Sequence, residues 1–296
     1  MNFDSFVTYL TSEKRSSPHT VSAYQLDLEQ FSTFCRSQYE ITSPLEVSPS
    51  IIRTWLAGLM EDDYSPTTIH RKSSSLNAWF KYLIKLGKIE KNPMKGLSKP
   101  KIPKRLPQYL EESQTVELQK NFQRSENTFS SVRNELLITL FYETGIRLSE
   151  LMQLRDRDVD FSLEQIKVLG KRNKMRYVPV GKRMTAQIQQ YMDMRNDLNL
   201  SDGEAWLFVS DKGQKISKSL VYSTVKTYLS TVTTQSKRSP HVLRHTFATH
   251  MLNNGADLNV IKELLGHSSL AATQVYTHNS IEKLKGIHSK LHPRSK

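Results

Sequence analysis

The sequence predicts a mainly helical protein of two domains with one small β-hairpin or sheet. Three observations carry that reading. The chain has 296 residues, beyond the size at which one hydrophobic core usually stops growing. Apolar residues recur at three-to-four spacing through most segments, the period of an amphipathic helix. A tract at 99–107, Lys-Pro-Lys-Ile-Pro-Lys-Arg-Leu-Pro, combines three prolines with four basic side chains and cannot be a helix interior.

In chain order, Ser17-Pro18-His19-Thr20 starts a helix whose apolar face is Val21, Tyr24, Leu28 and Phe31. A shorter helix spans about Ile51–Met60. Ser65-Pro66-Thr67 opens another, with Ile69, Leu76, Trp79, Phe80 and Leu83 as its buried stripe and Gly87 as its stop. These make an all-helical domain over 1–98, and the Pro-rich tract 99–107 is a linker, equally compatible with a path along a polyanion backbone and with a solvated tether. The second domain, 108–296, opens with a strongly apolar helix from Val132 to Tyr142 that ends at Thr144-Gly145. Another begins at Leu148. Gln165–Leu169 and Arg176–Val180 have β-rich composition around the turn-like Gly170-Lys171-Arg172-Asn173, which predicts a hairpin. Helices follow over roughly 184–198, 218–231, 241–253, 257–265, 269–277 and 280–291.

Composition narrows the function. The formal charge is +13, and residues 1–100 hold 12 Lys+Arg against 10 Asp+Glu, so 30 against 19 remain and the C-terminal part carries +11. A surplus of that size attracts polyanions, and if DNA is the partner most phosphate neutralisation falls to the second domain. No stretch approaches the 18 or more apolar residues of a membrane helix. The N-terminus MNFDSFVTYLTSEK lacks the layout of a secretory signal, so a cytoplasmic location is expected. The single cysteine, Cys35, fits a reducing compartment and reads as a small core residue.

The chain has no Gly-rich phosphate loop, no paired-cysteine motif and no acidic cluster spaced for Mg²⁺. An enzyme acting on nucleic acid would therefore manage phosphate charge with side-chain cations. Thr144-Gly145-Ile146-Arg147 places an arginine after a glycine turn at a helix start. Pro240-His241-Val242-Leu243-Arg244 sets His241 and Arg244 three residues apart on one helical face. Leu264-Leu265-Gly266-His267 follows, then Tyr276 within Gln274-Val275-Tyr276-Thr277-His278. Together they suit attack by a tyrosine hydroxyl on a phosphodiester. Two arginines hold the non-bridging oxygens and offset the growing charge. Tyrosine, with a reference pKa of about 10, needs a proton acceptor or positive surroundings, which His241 or His267 supplies. A lysine on the hairpin, Lys171, protonates the departing sugar oxygen. Singly, each residue also fits ordinary packing, a helix end or a solvated turn. Their joint occurrence in this order carries the reading.

In that order the chain resembles the tyrosine recombinase or integrase family, and within it the bacterial Xer recombinases. The signature Arg, Lys, His-x-x-Arg, His, Tyr is matched by Arg147, Lys171, His241 with Arg244, His267 and Tyr276. The surrounding YETGIRLSEL, HVLRHTFATHMLNNGADLNVIKELLGHSSLAATQVYTH and terminal HPRSK are similar to Xer sequences, as are SPHTVSAYQLDLEQF and SPTTIHRKSSSLNAWFKYL of the N-terminal domain. The likeness implies a SAM-like helical core-binding domain joined to an α+β catalytic domain, clamped on double-stranded DNA. It implies a 3′-phosphotyrosine on Tyr276 with no cofactor, metal or ATP, and strand exchange through a Holliday junction by a homo-tetramer or a tetramer shared with a second recombinase. It further implies chromosome dimer resolution at a dif-like site with an FtsK-type DNA translocase as activator. The hairpin departs from the family's usual Gly-Lys-Gly, because Arg172 follows Lys171, and Lys174 is the alternative general acid. Arg71, Lys72 and Lys81 are candidate DNA contacts or else a solvated outer face. The stripe Ile281, Leu284, Ile287 and Leu291 docks on a neighbouring protomer or packs on its own domain.

Competing readings are a DNA-binding protein without catalysis, a type IB topoisomerase, and a phage or transposon integrase with the same chemistry. The first leaves both arginines, His267 and Tyr276 unexplained. The helical N-terminal domain and the apolar tail favour an assembling recombinase over a topoisomerase. Against the third, the helical segment begins almost at Met1, ahead of which no arm-binding domain is expected.

Overall fold

The computed structural model describes residues 1–98, 100–101, 108–124, 126–170, 175–199 and 205–266. Lys171, Lys174, His267, Tyr276, the expected helices at 269–277 and 280–291, and most of the linker lie outside the described residues. The chain divides into two compact units, Met1–Arg105 and Leu106–Lys296. Among the described residues no helix is long and apolar enough to cross a membrane.

The first unit is all helical. Helix α1 (Asp4–Thr8) runs into a π-helical turn, Tyr9–Glu13, and neither was anticipated from the sequence. Helices α2 (Pro18–Tyr39), α3 (Pro49–Glu61) and α4 (Pro66–Lys85) each begin with serine followed by proline. The serine oxygens of Ser17, Ser48 and Ser65 accept from Thr20, Ile51 and Thr68 N–H groups, while proline sits where its missing N–H is not needed. Leu28, Phe31 and Cys35 of α2, Ile52 and Trp55 of α3, and Leu76, Trp79 and Phe80 of α4 close one core.

One charged cluster is enclosed with it. Asp27, 1% exposed, accepts from Ser75 at 2.7 Å and from the Lys72 ammonium at 3.1 Å, and pairs with the Arg71 guanidinium. Lys72 also donates to Gln30 and is 6% exposed. This corrects the expected outer face of α4: Lys72 falls on the Ile69, Leu76, Trp79 stripe at helical spacing and points inward. The Arg71 side chain keeps 43% exposure, and Lys81 is exposed.

The second unit surrounds α6 (Phe129–Thr144), which is buried on nearly every side from Leu136 onward. Before it comes α5 (Glu112–Gln123), unanticipated because only Thr115 and Leu118 are buried along it. After it come the single-turn α7 (Leu148–Leu151), strands β1 (Val159–Asp160), β2 (Gln165–Leu169) and β3 (Met175–Pro179), then α8 (Gly181–Asp197), α9 (Lys218–Ser230), α10 (Pro240–Asn253) and α11 (Leu258–Leu265). The predicted hairpin exists, and β1 extends it to a three-stranded antiparallel sheet. In its register Val168 faces Arg176 and Ile166 faces Val178, on the buried side, while Leu169 faces Met175 on the outer side.

Helix α10 is central to this unit, packing on α6, α9 and α11. The segment Gln108–Leu110 is stitched along it and the turn before it. Lys237 N–H donates to Gln108 at 3.3 Å, Gln235 to the Tyr109 carbonyl at 3.1 Å, Leu110 N–H to Thr246 at 3.0 Å, and His250 Nε2 to the Leu110 carbonyl at 2.8 Å.

Candidate active site

Arg147 owes its place to the way α6 ends. Gly145 adopts a left-handed conformation at φ +60°, its N–H caps the Phe141 carbonyl, and Thr144 Oγ1 accepts the Ile146 N–H at 3.2 Å. A Cβ on Gly145 would lie 2.6 Å from both Leu265 Cδ2 and Phe247 Cδ1, so only glycine fits. The chain then turns at once into α7, with Arg147 at its N-cap. Glu150, three residues on, accepts the Arg147 backbone N–H at 2.9 Å and its Nη1 at 2.7 Å. The Arg147 side chain is thereby aimed before any ligand arrives, and keeps 21% exposure.

Glu150 is shared. Arg176, on the buried side of β3, grips it with Nη1 at 2.8 Å and Nη2 at 2.9 Å, the two-pronged geometry natural to guanidinium and carboxylate. Burial alone would raise the Glu150 carboxyl. The hydrogen bonds and charge of Arg176, with the N–H groups of Arg147, outweigh it and hold the group below its ordinary value.

Arg244 enters from α10, whose Val242, Leu243, Phe247 and Met251 anchor it in the core. Its Nη1 donates to the Gly145 carbonyl and its Nη2 to the Leu265 carbonyl at 2.7 Å. Burial, then repulsion from Arg147 and Arg176, pushes its pKa down to about 9, with Glu150 opposing. It therefore remains a cation at neutral pH. His241 lies in the first turn of the same helix and is exposed.

The three arginines converge on one feature, the C-terminal end of α11. Arg176 Nε donates to the Leu264 carbonyl at 3.1 Å, Arg244 Nη2 to that of Leu265, and Arg147 Nη2 to that of Gly266 at 2.8 Å. A helix C-terminus leaves its last carbonyls unpaired and carries partial negative charge, so cations from three separate elements suit it. Gly266 is left-handed at φ +63°, and a Cβ there would meet Arg176 Nη1 at 3.1 Å.

Among the described residues the site holds three cations and one carboxylate, a net of two positive charges (3 − 1). A phosphodiester carries one negative charge, and nucleophilic attack on it builds a second. Fixed guanidinium groups are the arrangement that stabilises such a transition state. Of the predicted residues, the structure brings Arg147 and Arg244 together and puts His241 on the helix of Arg244. Lys171, His267 and Tyr276 lie outside the described residues, although His267 follows Gly266 directly in sequence. Sequence reasoning missed Glu150 and Arg176. The signal for Glu150 was its place three residues after a helix-capping position, and for Arg176 a charge at an inward strand position.

Residues 108–283 match the phage integrase family, and residues 3–87 match the phage integrase N-terminal SAM-like domain. A tyrosine recombinase XerC of Thermodesulfovibrio yellowstonii is 39% identical over 295 residues, spanning 98% of this chain and 96% of that protein. One from Oceanobacillus iheyensis is 37% identical over 297 residues, spanning 99% and 96%. Among solved structures, XerH site-specific recombinase bound to palindromic difH substrate shares the fold, with a TM-score of 0.72, 21% identity, and coverage of 93% of this chain and 77% of that one. Tn1549 transposon integrase in complex with transposon right end DNA aligns with a TM-score of 0.69 and 20% identity, covering 96% and 99%. With likeness of this kind running along nearly its whole length, the chain belongs to the phage integrase family and is a site-specific tyrosine recombinase of the Xer type.

Proposed function

We propose that this recombinase resolves chromosome dimers at a dif-like DNA site during chromosome segregation, with Tyr276 as nucleophile. The observation that carries the chemistry is the convergence of Arg147 and Arg244 at the end of α11, whose capping Gly266 stands ten residues before Tyr276 in sequence. The XerC names of relatives at 33–39% identity support the chromosomal role over that of a phage or transposon integrase.

Tyr276 Oη attacks the scissile phosphorus, a 3′-phosphotyrosine forms, and the bond to the 5′ oxygen breaks. That oxygen takes a proton from Lys171, with Lys174 the alternative donor. Arg147 and Arg244 hold the non-bridging oxygens, and His241 and His267 assist through proton transfer and hydrogen bonds. The phosphotyrosine keeps the energy of the original ester, so the 5′-hydroxyl of a partner strand reverses the step without ATP. Exchange through a Holliday junction calls for four protomers, of one kind or shared with a second recombinase. An FtsK-type translocase would be the activator, in the cytoplasm. The N-terminal unit is the core-binding domain, and Lys81 is the best placed of its expected DNA contacts, because it is exposed whereas Arg71, also exposed, is held by Asp27 and Lys72 is buried.

The test is covalent capture. Wild type, Tyr276→Phe and Arg244→Ala are incubated in EDTA with a nicked suicide duplex carrying a dif-like site and resolved on a denaturing gel. Wild type forms a protein–DNA band, Tyr276→Phe forms none, and Arg244→Ala binds DNA but forms little. A band of equal strength from Tyr276→Phe removes Tyr276 as nucleophile, and normal cleavage by Arg244→Ala removes Arg244 from phosphate binding.

A further inference from the structure

Arg176 is a fully committed buried cation that the proposed chemistry does not use. It lies on the inward side of β3, where the register calls for an apolar side chain opposite Val168. Its three donor nitrogens reach two other elements: Nη1 and Nη2 go to the two oxygens of Glu150 on α7, and Nε goes to the Leu264 carbonyl at the end of α11. Replacing a buried charge network with apolar residues is often neutral or stabilising, so stability alone is a weak reason for one here. The network instead fixes geometry. Glu150 sets the Arg147 guanidinium, and the Leu264 carbonyl sets the point from which the chain continues through Gly266 to His267.

We propose that Arg176 is a positioning residue for cleavage: through Glu150 it orients Arg147 toward the scissile phosphate, and through the Leu264 carbonyl it anchors the end of α11 beside it. The inference rests on the recombinase chemistry proposed above. Arg176 touches neither phosphate nor nucleophile in that scheme, and its effect is indirect, through groups that do. The charged groups facing Glu150 among the described residues are Arg147 from α7, Arg176 from β3 and Arg244 from α10.

This arrangement predicts a signature that loss of packing would not give. With Arg176 present, Glu150 stays ionised and accepts both Arg147 donors. Without it, burial dominates and the carboxyl pKa rises. As pH then falls through that raised value, Glu150 takes up a proton, its hold on Arg147 weakens, and cleavage slows on the acid side only.

The experiment uses the full chain and duplexes selected from a random-sequence pool by wild-type binding, nicked within the selected site. Single-turnover covalent-complex formation is followed from about pH 5 to pH 9, with DNA affinity and melting temperature measured on the same proteins. Arg176→Met is expected to lose about a hundredfold in rate, the scale of an ångström-sized misplacement of a catalytic group. Its affinity should stay within about threefold of wild type, and it should acquire an acid limb that Glu150→Gln in the same background removes. Arg176→Lys keeps the charge but not the fork, so it should be slow with the wild-type pH profile. A wild-type rate in Arg176→Lys or Arg176→Met overturns the proposal. So does parallel loss of affinity, rate and melting temperature in both. If Arg176→Met does not fold, Arg176→Lys decides alone. Covalent product from Tyr276→Phe in the same assay defeats the underlying recombinase reading instead, whatever Arg176 does.

Discussion

Replacing Gly145 with alanine tests the most confined point of the site. The added Cβ stands 2.6 Å from Leu265 Cδ2 and 2.6 Å from Phe247 Cδ1, against an optimal carbon–carbon separation of roughly 3.5–4.0 Å. Relief requires about 1 Å of movement on two sides, in a core where overpacking typically costs about 1–3 kcal/mol. The left-handed conformation at φ +60° adds about 1–2 kcal/mol for an L side chain. The sum is about 2–5 kcal/mol. For a unit of this size each kcal/mol lowers the melting temperature by roughly 2–4 °C, so a drop of about 4–20 °C is expected. Function should suffer as well, because the Gly145 carbonyl and the Leu265 carbonyl both accept from Arg244, and the clash pushes them apart. Differential scanning calorimetry gives the first quantity and suicide-substrate cleavage at a temperature where the variant is folded gives the second. A variant that melts within about 2 °C of wild type and cleaves at its rate would refute the claim that this turn is sterically set.

Three further predictions concern the N-terminal unit. Lys72→Met should destabilise it by about 1–3 kcal/mol, by leaving Asp27 short of a buried donor, with little change in DNA affinity. Lys81→Gln should leave stability alone and flatten the salt dependence of binding by about one unit of slope. Denaturant melts and binding isotherms at several salt concentrations distinguish the two, and a reversed pattern would return Lys72 to the DNA face. Burial pushes the Cys35 thiol up to about 11, so at neutral pH it should react with a disulfide reagent only as the unit unfolds. Rapid stoichiometric labelling of the folded protein would contradict that.

Most of the local architecture could be read from residue order. Ser17-Pro18 and Ser65-Pro66 start α2 and α4 where the serine-proline pair demands, Gly145 ends α6, and the β-rich segments around 170 pair as a hairpin. The elements that escaped are those with too little pattern: β1 has two residues, too few to alternate, and α5 buries too little to show a stripe. At the site, Arg147 and Arg244 stood out by their sequence neighbourhoods. Glu150 and Arg176 did not, because their pairing joins residues 26 apart and depends on strand register, which side-chain chemistry alone does not set. Lys72 misled for the opposite reason. Its charge argued for the surface, while its spacing from Ile69 and Leu76 argued for the interior, and a well-placed partner, Asp27, decided the contest.

The stitching of Gln108–Leu110 bears on how the second unit responds to mechanical tension. Its four hydrogen bonds end at Gln235, Lys237, Thr246 and His250, the last two on α10 itself. A pull arriving along the linker at Gln108 is resisted first by these bonds acting together, before α5 is strained. Thr246 lies two residues from Arg244, so tension on the linker is felt early by the helix that presents a phosphate-holding arginine.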